Sequence, residues 1–262
     1  LQSCNLMKTK ILLASAALLA ALSACSVNEV KNIATGFGGR TPSGKITEKT
    51  WQFDDIKGIE SASGVVVHYT QQATTAPVRV SAPEDVLKKA VVRMTSGGTL
   101  EIQLESGTNF RFGNDEQRLH AYVAAPSVSD FEAYSGSEII VADTLNIYSK
   151  VEAESHSGAT ISFSTLISPK VEFSSSSGSS IDAEAVTAEK FEADASSGSN
   201  ISASGTATEV DLEASSGASV DCRNLKAERG KASANSGGGI QSNIATAEIE
   251  RSSGGRVKNS NN

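Results

Sequence analysis

The chain has 262 residues and an acidic balance, with 30 Asp and Glu against 23 Lys and Arg and a formal net charge of -7. This balance argues against a nucleic-acid-binding protein, because such proteins need clustered Lys and Arg to neutralise phosphate groups. The three cysteines of the chain are too few for a disulfide framework.

The first predicted element is an export signal. A charged start after Met7 is followed by an apolar run over residues 11–22, which is too short for a comfortable membrane span. The run ends in Leu-Ser-Ala-Cys at residues 22–25, which resembles the lipobox of bacterial lipoproteins. That resemblance implies that residues 1–24 are removed and that Cys25 carries the lipid. The alternative is ordinary secretion with cleavage just before this cysteine.

A lipid-anchored tether is predicted next. Loss of residues 1–24 removes two lysines and no acids, so the formal charge becomes -7 - 2 = -9. An acidic protein has little electrostatic affinity for anionic lipid, so membrane attachment would come from acyl chains. Residues 25–45 contain Gly, Ser, Thr and Asn with scattered apolar residues, which predicts a flexible segment. We therefore expect an outer membrane lipoprotein of the cell envelope, on either the periplasmic or the surface side.

Residues 46–128 are predicted to form an irregular, β-rich first part of the domain. Apolar and β-branched runs indicate short strands, and residues 83–89 have the proline and lysine positions of one short helix. The strand candidates are 50–53, 65–69, 78–81, 100–104 and 119–124. Ser63-Gly64, followed by three valines, resembles the repeats further along the chain. We therefore interpret this part as an irregular start of the same sheet stack, covering its first strand edges.

From residue 129 to residue 258 a Ser-Gly phrase returns at nearly constant intervals. Successive glycines are separated by 22, 20, 20, 19, 20 and 17 residues, which indicates a repeat unit of about twenty residues. The pairs are Ser135-Gly136, Ser157-Gly158, Ser177-Gly178, Ser197-Gly198, Ser216-Gly217, Ser236-Gly237 and Ser253-Gly254. Residues 259–262 follow as a polar tail.

Aligned on these pairs, the repeats show two apolar columns with a period of two. The column three residues after each glycine holds Ile or Val, and the column two residues further on holds mostly small residues such as Ala183, Ala203 and Cys222. This alignment favours a buried Cys222 over a reactive thiol. A period of two indicates strands, and a repeated unit of short strands predicts a solenoid whose coils pair about 4.8 Å apart. The predicted fold class is all-β, a parallel β-helix with glycine at corners that need positive φ.

Two other structural readings are disfavoured. Leucine-rich or helical repeats do not fit, because leucine is sparse and a helical period is absent. A flexible Ser/Gly linker does not fit either, because low-complexity linkers lack apolar residues at regular intervals.

Acidic residues recur at outward positions of the repeats. Stacked coils would align four of them in a vertical ladder: Glu152, Glu172, Glu192 and Asp211. Another column holds Asp182 and Asp221. Such a ladder could hold calcium, but calcium sites use clustered loop oxygens. The preferred interpretation is a solvated face that keeps the sheet soluble.

Metal and catalytic signals are weak. His68, His120 and His156 lie in different segments, and none has another His or Cys at metal-binding spacing. His156 has no identifiable nucleophile, because serine occurs nearly everywhere in this chain. We therefore predict no metal, no cofactor and no catalytic residue. A polysaccharide-active enzyme would need acid, base and cation converging in a cleft.

Exposed aromatic rings are the usual platforms for sugars. Phe163, Phe173 and Phe191 align with inward columns and are predicted to belong to the core. Tyr134 and Tyr148 lie near the junction of the irregular and regular parts. They are the aromatic pair that we predict as candidate ligand contacts.

Several of these segments together resemble one known family. The lipobox, the tether, Ser-Gly-Val-Val-Val-His-Tyr at 63–69, Ala-Pro-Ser-Val at 125–128 and the Ser-Gly coils resemble the head GIN domain family. That family is described as putative auto-transporter adhesins, and the similarity covers roughly residues 53–257. It implies a β-helical extracytoplasmic domain in an oligomer, and it brings no established catalytic residues.

We therefore expect a non-catalytic envelope lipoprotein that displays a rigid β-helical surface for protein, glycan or self contacts. Identical side chains at about 4.8 Å intervals would add many weak contacts. The expected partners are the membrane through the lipid anchor, a glycan or protein ligand and further copies in a homo-oligomer, but no nucleic acid. The alternatives are a polysaccharide-active β-helix enzyme and a periplasmic structural or signalling-associated domain.

Overall fold

The structure is a computed structural model that describes residues 39–261. It divides into a small unit, of which residues 39–41 and 109–111 are described, and a large unit of residues 42–108 and 112–261. The small unit contains a parallel bridge between Arg40 and Phe110. The large unit contains strands β1 (Ile46–Trp51), β2 (Gly58–Ser61), β3 (Val66–Gln71), β4 (Val78–Pro83), β5 (Ala90–Met94), β6 (Thr99–Leu104), β7 (His120–Ala125), β8 (Asp130–Ala133), β9 (Glu138–Asn146), β10 (Lys150–His156), β11 (Thr160–Ile167), β12 (Lys170–Ser176), β13 (Ser180–Ala195), β14 (Asn200–Ala214), β15 (Ser219–Ala234), β16 (Gly239–Arg251) and β17 (Arg256–Asn259). It also contains one short helix, α1 (Glu84–Leu87), and one 3₁₀ turn (Asp115–Gln117).

Two long ladders of strands define two faces of the large unit. The first face runs through β6, β2, β8, β10 and β12 and continues through the second halves of β13 to β16. The second face runs through β7, β3, β9 and β11, then through the first halves of β13 to β16, and ends at β17. Successive coils pair in parallel, so equivalent residues such as Val151 and Val171 are direct partners. The predicted all-β parallel β-helix is confirmed, because the repeat places like residues side by side.

The two apolar columns form the interior of the coils. The Ile/Val column of the second face is buried from Ile139 to Ile240. On the first face, large and small residues alternate from coil to coil, as Phe173 does between Ala153 and Ala193. Large side chains fill the space that small neighbours leave, so the interior stays close-packed.

Aromatic rings meet one another inside the coils. Phe131 contacts Phe163 edge to face, with ring centroids 5.3 Å apart. Phe163 stacks on Phe173 at 5.6 Å, and Phe173 contacts Phe191 edge to face at 5.3 Å. Both arrangements are favoured by the ring quadrupoles. The predicted core positions of the three repeat phenylalanines are confirmed. Cys222 is buried as well, and this burial raises the pKa of its thiol.

Each Ser-Gly pair forms a tight turn at a corner between the two faces. Both residues have positive φ, 58° at Ser177 and 72° at Gly178, and the next corner closes with the Ser199 amide donating to the Ser196 carbonyl at 3.2 Å. Two positive φ values and this bond define a type I′ turn. The glycine amide also donates to the neighbouring coil, as Gly178 does to Ser197 at 3.2 Å. The predicted glycine conformation is confirmed, and the preceding serine unexpectedly shares it at a steric cost.

The less regular first part joins the stack and ends it with antiparallel strands. β2 and β3 pair in parallel with β8 and β9, and the Gly64 amide donates to the Ser135 carbonyl as at the later corners. β5 is antiparallel to β6, and β4 is antiparallel to both β1 and β7. The helix predicted at 83–89 is present but shorter, with Val86 buried. β2 and β5 were not predicted, because they are short and lack strict alternation.

Asn259 closes the last coil beside β17. Its Oδ1 accepts from the Ile244 amide and its Nδ2 donates to the Ile244 carbonyl, each at 2.8 Å. The side-chain amide thus takes the place that a peptide group of a further strand would occupy. Since β17 reaches Asn259, the last strand extends one residue into the stretch 259–262 that was expected to be a polar tail.

Candidate binding surface

The predicted acidic ladder lies on the first face. Glu152, Glu172, Glu192 and Asp211 are successive partners in the parallel ladder. Because the side chains of a strand alternate between its two sides, all four project from one line of the surface. The alignment expected from the repeat is confirmed.

A ladder of lysines runs beside these carboxylates. The lysines are Lys150, Lys170 and Lys190. Lys150 Nζ donates to Glu152 at 2.6 Å and to Glu172 at 2.9 Å. Lys170 bridges Glu172 and Glu192 in the same way. The lysine ladder was not predicted, although its residues recur at the same spacing as the acids.

The lysines control the ionisation of the acids that they contact. Hydrogen bonds from Lys170, and then from Lys150, lower the pKa of Glu172 to about 2. Hydrogen bonds from Lys150 to Glu152, and then to Glu172, raise the pKa of Lys150. Ion pairs this exposed each stabilise a fold by about 1 kcal/mol at most. Glu172 and Lys150 therefore form a pair that stays ionised at neutral pH, whereas no lysine forms an ion pair with Asp211 within residues 39–261.

A second column of acids lies two residues further along the first face and was not predicted. Its acidic members are Glu101, Glu60, Glu132, Glu154, Asp194, Glu213 and Glu250, and serines interrupt it after Glu154 and after Glu213. Arg93 and Lys231 compensate its two ends. Burial, followed by repulsion from Asp194 and Asp211, raises the pKa of Glu213. Between the two columns lies a shallow depression of about 440 Å³, so negative charge concentrates in the middle of this face.

The carboxylates do not converge on a metal ion. Within residues 39–261, no group of three or more His, Cys, Asp or Glu side chains is placed to hold one. Carboxylates on neighbouring strands are held about 4.8 Å apart by the backbone, whereas calcium needs roughly six to eight oxygens around one point. The first face therefore has the geometry of a charged surface.

Tyr134 lies at the corner end of the first face. Its hydroxyl donates to Glu132 at 2.7 Å, and its ring stacks on His156 with centroids 5.3 Å apart. Burial and the bond to Glu132 raise the pKa of Tyr134. The ring of His156 in turn lies 2.7 Å from Ser176 Oγ and 3.5 Å from Glu154. One side of the tyrosine ring is thus already covered.

The contacts of His156 combine a hydroxyl, an imidazole and a carboxylate, as catalytic triads do. Ser176 precedes the Ser177-Gly178 corner, whose glycine amide already donates to the Ser197 carbonyl. This amide is therefore not free to stabilise an oxyanion. The group is a hydrogen-bond network on an open sheet surface. Ser176 was not predicted as a partner because serine is so frequent in the repeats.

Tyr148 lies at the opposite end of β10 from Tyr134. It is 92% exposed and lies beside a groove lined by Gln71 and Pro126. Tyr134 stacks on His156, which ends β10, whereas Tyr148 precedes the first residue of that strand. The two tyrosines are therefore a strand length apart and do not form one site. Ligand contact by either of them stays a prediction.

The structure brings together two histidines that lie far apart in the sequence. His68 Nε2 and His120 Nδ1 are 3.2 Å apart. His120 Nε2 donates to the Asp115 carbonyl at 2.9 Å, so in the neutral His120 ring Nδ1 accepts from His68. Tyr122 stacks on His68 at 4.8 Å, and the Arg79 guanidinium lies 3.8 Å from the Tyr122 centroid. Burial, and then His120, lower the pKa of His68. This cluster was not predicted, because the sequence does not reveal that β3 pairs with β7.

The acids of the second face are arranged differently. Asp182 and Asp221 occupy one column, but Ser202 lies between them. Burial raises the pKa of Asp182, whereas hydrogen bonds from Arg223 lower the pKa of Asp221. These two carboxylates therefore act separately.

The predicted signal peptide at 1–24, Cys25 and most of the tether at 25–45 lie outside the described residues. No helix within residues 39–261 has the length and apolar character needed to cross a membrane.

Comparisons with known proteins agree with the fold. A family model described as "Putative auto-transporter adhesin, head GIN domain" matches residues 55–262. A putative adhesin from Parabacteroides merdae is 13% identical with a TM-score of 0.72, covering 85% of this chain and 99% of that one. A putative lipid binding protein from Parabacteroides distasonis is 13% identical with a TM-score of 0.72, covering 84% and 98%. A putative adhesin from Bacteroides fragilis is 15% identical with a TM-score of 0.58, covering 84% and 100%. No curated protein gives a significant match.

Proposed function

The chain belongs to the head GIN domain family of putative auto-transporter adhesins, and from this premise we propose that it is a non-catalytic, adhesin-like protein of the cell envelope. The observation that carries the proposal is the first face, where carboxylates and lysines repeat from coil to coil. A rigid surface with repeated groups binds by adding many weak contacts. The proposed ligand is a protein or glycan that carries repeated charged or hydroxyl groups.

The proposed location is the outer membrane, with Cys25 as the lipidated residue. The Leu-Ser-Ala-Cys sequence at residues 22–25 supports it. A flexible tether of about twenty residues spans on the order of 25 Å, enough to hold the domain off the bilayer. Metabolic labelling with a fatty acid is expected to label the protein but not Cys25→Ser. Equal labelling of the variant would contradict the assignment.

The alternative of a polysaccharide-active enzyme finds less support in the carboxylates. A general acid needs a pKa near the working pH, whereas lysines hold Glu172 ionised. Glu213 has a raised pKa, but it stands in an open depression beside other acids. Lipid binding, the name given to one structural neighbour, finds no support in the interior, because Phe173 and its neighbours fill the coils.

The test is a binding screen with matched charge variants. The purified protein is applied to a glycan array and to envelope and host-surface proteins at low and high salt. Reversing the first column with Glu152→Lys and Glu192→Lys is expected to weaken binding about tenfold at low salt. Glu184→Lys makes the same kind of change at an exposed position outside both acidic columns and should have no effect. An affinity unchanged by the charge reversal of Glu152 and Glu192 would contradict the proposed binding surface.

Added protease on intact cells separates the two envelope locations. Cleavage without lysis supports display at the cell surface, where an adhesin acts. Full protection supports the alternative of a periplasmic structural or signalling-associated domain.

A further inference from the structure

The chain enters the large unit at the β1 end of the coils. The Lys45 carbonyl accepts from the Glu84 amide at 3.0 Å, and the Ser43 amide donates to the Asp85 carboxylate at 3.0 Å. Both contacts hold the residues before β1 against α1. Residues that precede position 42 therefore join the domain at this end.

The opposite end of the coils lies well away from β1. Eleven of the described strands follow one another along the second face, from β1 through β4 and β7 to β17. At about 4.8 Å between neighbouring strands, the two ends are on the order of 50 Å apart. Residues 26–41 link the proposed lipid site at Cys25 to the domain, and a flexible segment of that length spans on the order of 25 Å. The anchor would therefore hold the β1 end close to the bilayer.

β1 carries two apolar side chains that suit a membrane interface. Ile46 is 58% exposed, more than any other large aliphatic side chain within residues 39–261. Trp51, at the other end of β1, is half-buried beside Val78 of β4. Tryptophan is enriched at membrane surfaces, because its ring is apolar while its N–H group needs a polar partner. The edge of β1 therefore has apolar contacts to offer at both of its ends.

Two lysines of the β1 segment form no ion pair within the residues that the structure describes. These are Lys45 and Lys49, and both are exposed. Lys49 Nζ lies 4.7 Å from the centre of the Trp51 ring. The one acid of β1, Glu48, is already paired with Arg79 at 2.6 Å. The segment therefore presents positive charge that its own acid does not compensate, and such charge attracts the phosphate groups of anionic lipids.

The same lysines make another protein strand an unsuitable partner for β1. Within residues 39–261, β4 is the only strand that pairs with β1, so the other edge of β1 is open. Lysines on an open edge oppose pairing with a second chain. A layer of lipid headgroups instead offers phosphates to the lysines and an apolar boundary to Trp51 and Ile46.

We propose that the β1 edge docks on the lipid headgroups of the membrane that carries the anchor, so that the coils stand on the bilayer and β17 points away from it. This docking rests on the proposed lipidation of Cys25. One strand edge alone binds lipid weakly, but the anchor raises the local concentration of lipid and makes the contact intramolecular. An upright domain would expose the first face along its whole length.

Trp51 is the only tryptophan of the chain, so its fluorescence reports on β1 alone. The lipidated full-length protein is placed in vesicles of phosphatidylcholine and phosphatidylglycerol whose acyl chains carry bromine near the headgroup. We expect quenching of Trp51 relative to unbrominated vesicles, because bromine quenches tryptophan on contact. Trp51→Phe combined with Lys258→Trp moves the only tryptophan to an exposed position of β17, where it should stay unquenched.

Lys45→Gln combined with Lys49→Gln tests the charges of the β1 segment. The loss of both lysines is expected to lower the ratio of docked to undocked protein about tenfold on the anionic vesicles. Arg256→Gln combined with Lys258→Gln removes the same charge at exposed positions of β17 and should leave the quenching of Trp51 unchanged. High salt should abolish the difference between the two pairs of substitutions.

Flotation of the vesicles separates the docking from the anchor on which it rests. A protein that does not float with the vesicles would overturn the proposed anchor, and the docking with it. A protein that floats while Trp51 stays unquenched would overturn the docking alone. Equal quenching at residues 51 and 258, or equal effects of the two pairs of charge substitutions, would overturn it as well.

Discussion

The regular coils of residues 129–258 and the irregular part of residues 46–128 share one sheet but differ in strand direction. Every strand pair within the regular part is parallel, whereas the irregular part adds the antiparallel strands β1, β4 and β5. Parallel stacking of like residues propagates itself, because each coil offers its neighbour the same template. The antiparallel strands and the short helix interrupt this parallel stacking of like residues. The repeat therefore builds the surface, and the irregular part determines where the surface begins.

The two regions also differ in polar chemistry. The regular part spreads ion pairs at constant spacing, as Lys150 and Lys170 do along their ladder. The irregular part has ion pairs without a regular spacing, such as Arg93–Glu101, and adds a cluster around His68 and His120. Repeated groups suit additive binding, whereas a single cluster affects local stability. The following predictions test this contrast.

Removing a core ring from the regular coils should have the largest effect. Phe173→Ala is expected to lower the free energy of unfolding by about 3–5 kcal/mol, because it removes ring contacts on both sides and leaves a cavity. Urea unfolding followed by circular dichroism measures it. Ile167→Ala, at an exposed position, is the control and should cost less than about 1 kcal/mol. A cost for Phe173→Ala as small as that of the control would refute a packed interior.

The corner glycines should come next. Gly178→Ala is expected to cost about 1–2 kcal/mol, because φ is 72° there and a side chain resists that conformation. Gly239→Ala is the matched control, since its φ is not positive and an added Cβ would meet no atom within 4 Å. Thermal unfolding compares the two. The same change at Gly64 asks whether the irregular corner obeys the rule, and an unaffected melting temperature there would separate the two regions.

The ladder acids should show a smaller effect that depends on pH. The pKa of Glu172 falls from 4.5 to about 2, so its stabilisation is present above pH 4.5 and is lost as pH falls towards 2. The parent chain should therefore lose up to about 1 kcal/mol more free energy of unfolding than Glu172→Gln over this pH window.

Glu213→Gln is the contrasting variant. The raised pKa of Glu213 shows that its charged form is unfavourable in the folded state. Removing the charge should therefore raise the free energy of unfolding slightly at neutral pH.

Chemical denaturation at several pH values measures both acid variants. High salt should shrink the Glu172 effect, because exposed ion pairs are screened. Equal pH profiles for Glu172→Gln and the parent chain would show that the lysine contacts do not form in solution.

The histidine pair should have the smallest effect. The lowered pKa of His68 means that the fold favours its neutral form, so this stabilisation is present above pH 6.5 and declines as pH falls below it. His68→Gln should flatten the dependence of stability on pH as the pH falls below about 6.5. Hydrogen exchange should show β3 and β7 loosening before β13 and β14 over this range. Loosening of all four strands together would argue against a separate behaviour of the irregular part.

Much of the fold follows from the local period of the sequence. The Ser-Gly spacing and the alternating Ile/Val columns predict a β-helix, because a solenoid needs only that each coil match the next. The first part was harder, because its pairings join distant segments. β5 and β6 form a hairpin without strict alternation, and the contact of His68 with His120 depends on which strands become neighbours.

The candidate surface was predictable in part for the same reason. The alignment of Glu152 and its equivalents could be predicted from their spacing alone. Lys150 and its equivalents have the same spacing, so their alignment could have been predicted as well. The separation of Tyr134 from Tyr148 required the position and direction of β10. Ser176 as the partner of His156 required the register between two coils.

The coil length, the inward and outward alternation and the glycine corners can be inferred from the chain alone, because they depend on residues close together in it. The contact of Lys150 with Glu172 and the strand edge left open at residues 246–251 become visible once the coils are stacked. Register between coils and the end of the stack depend on the pairing of distant strands, whereas alternation and turns depend on local backbone geometry.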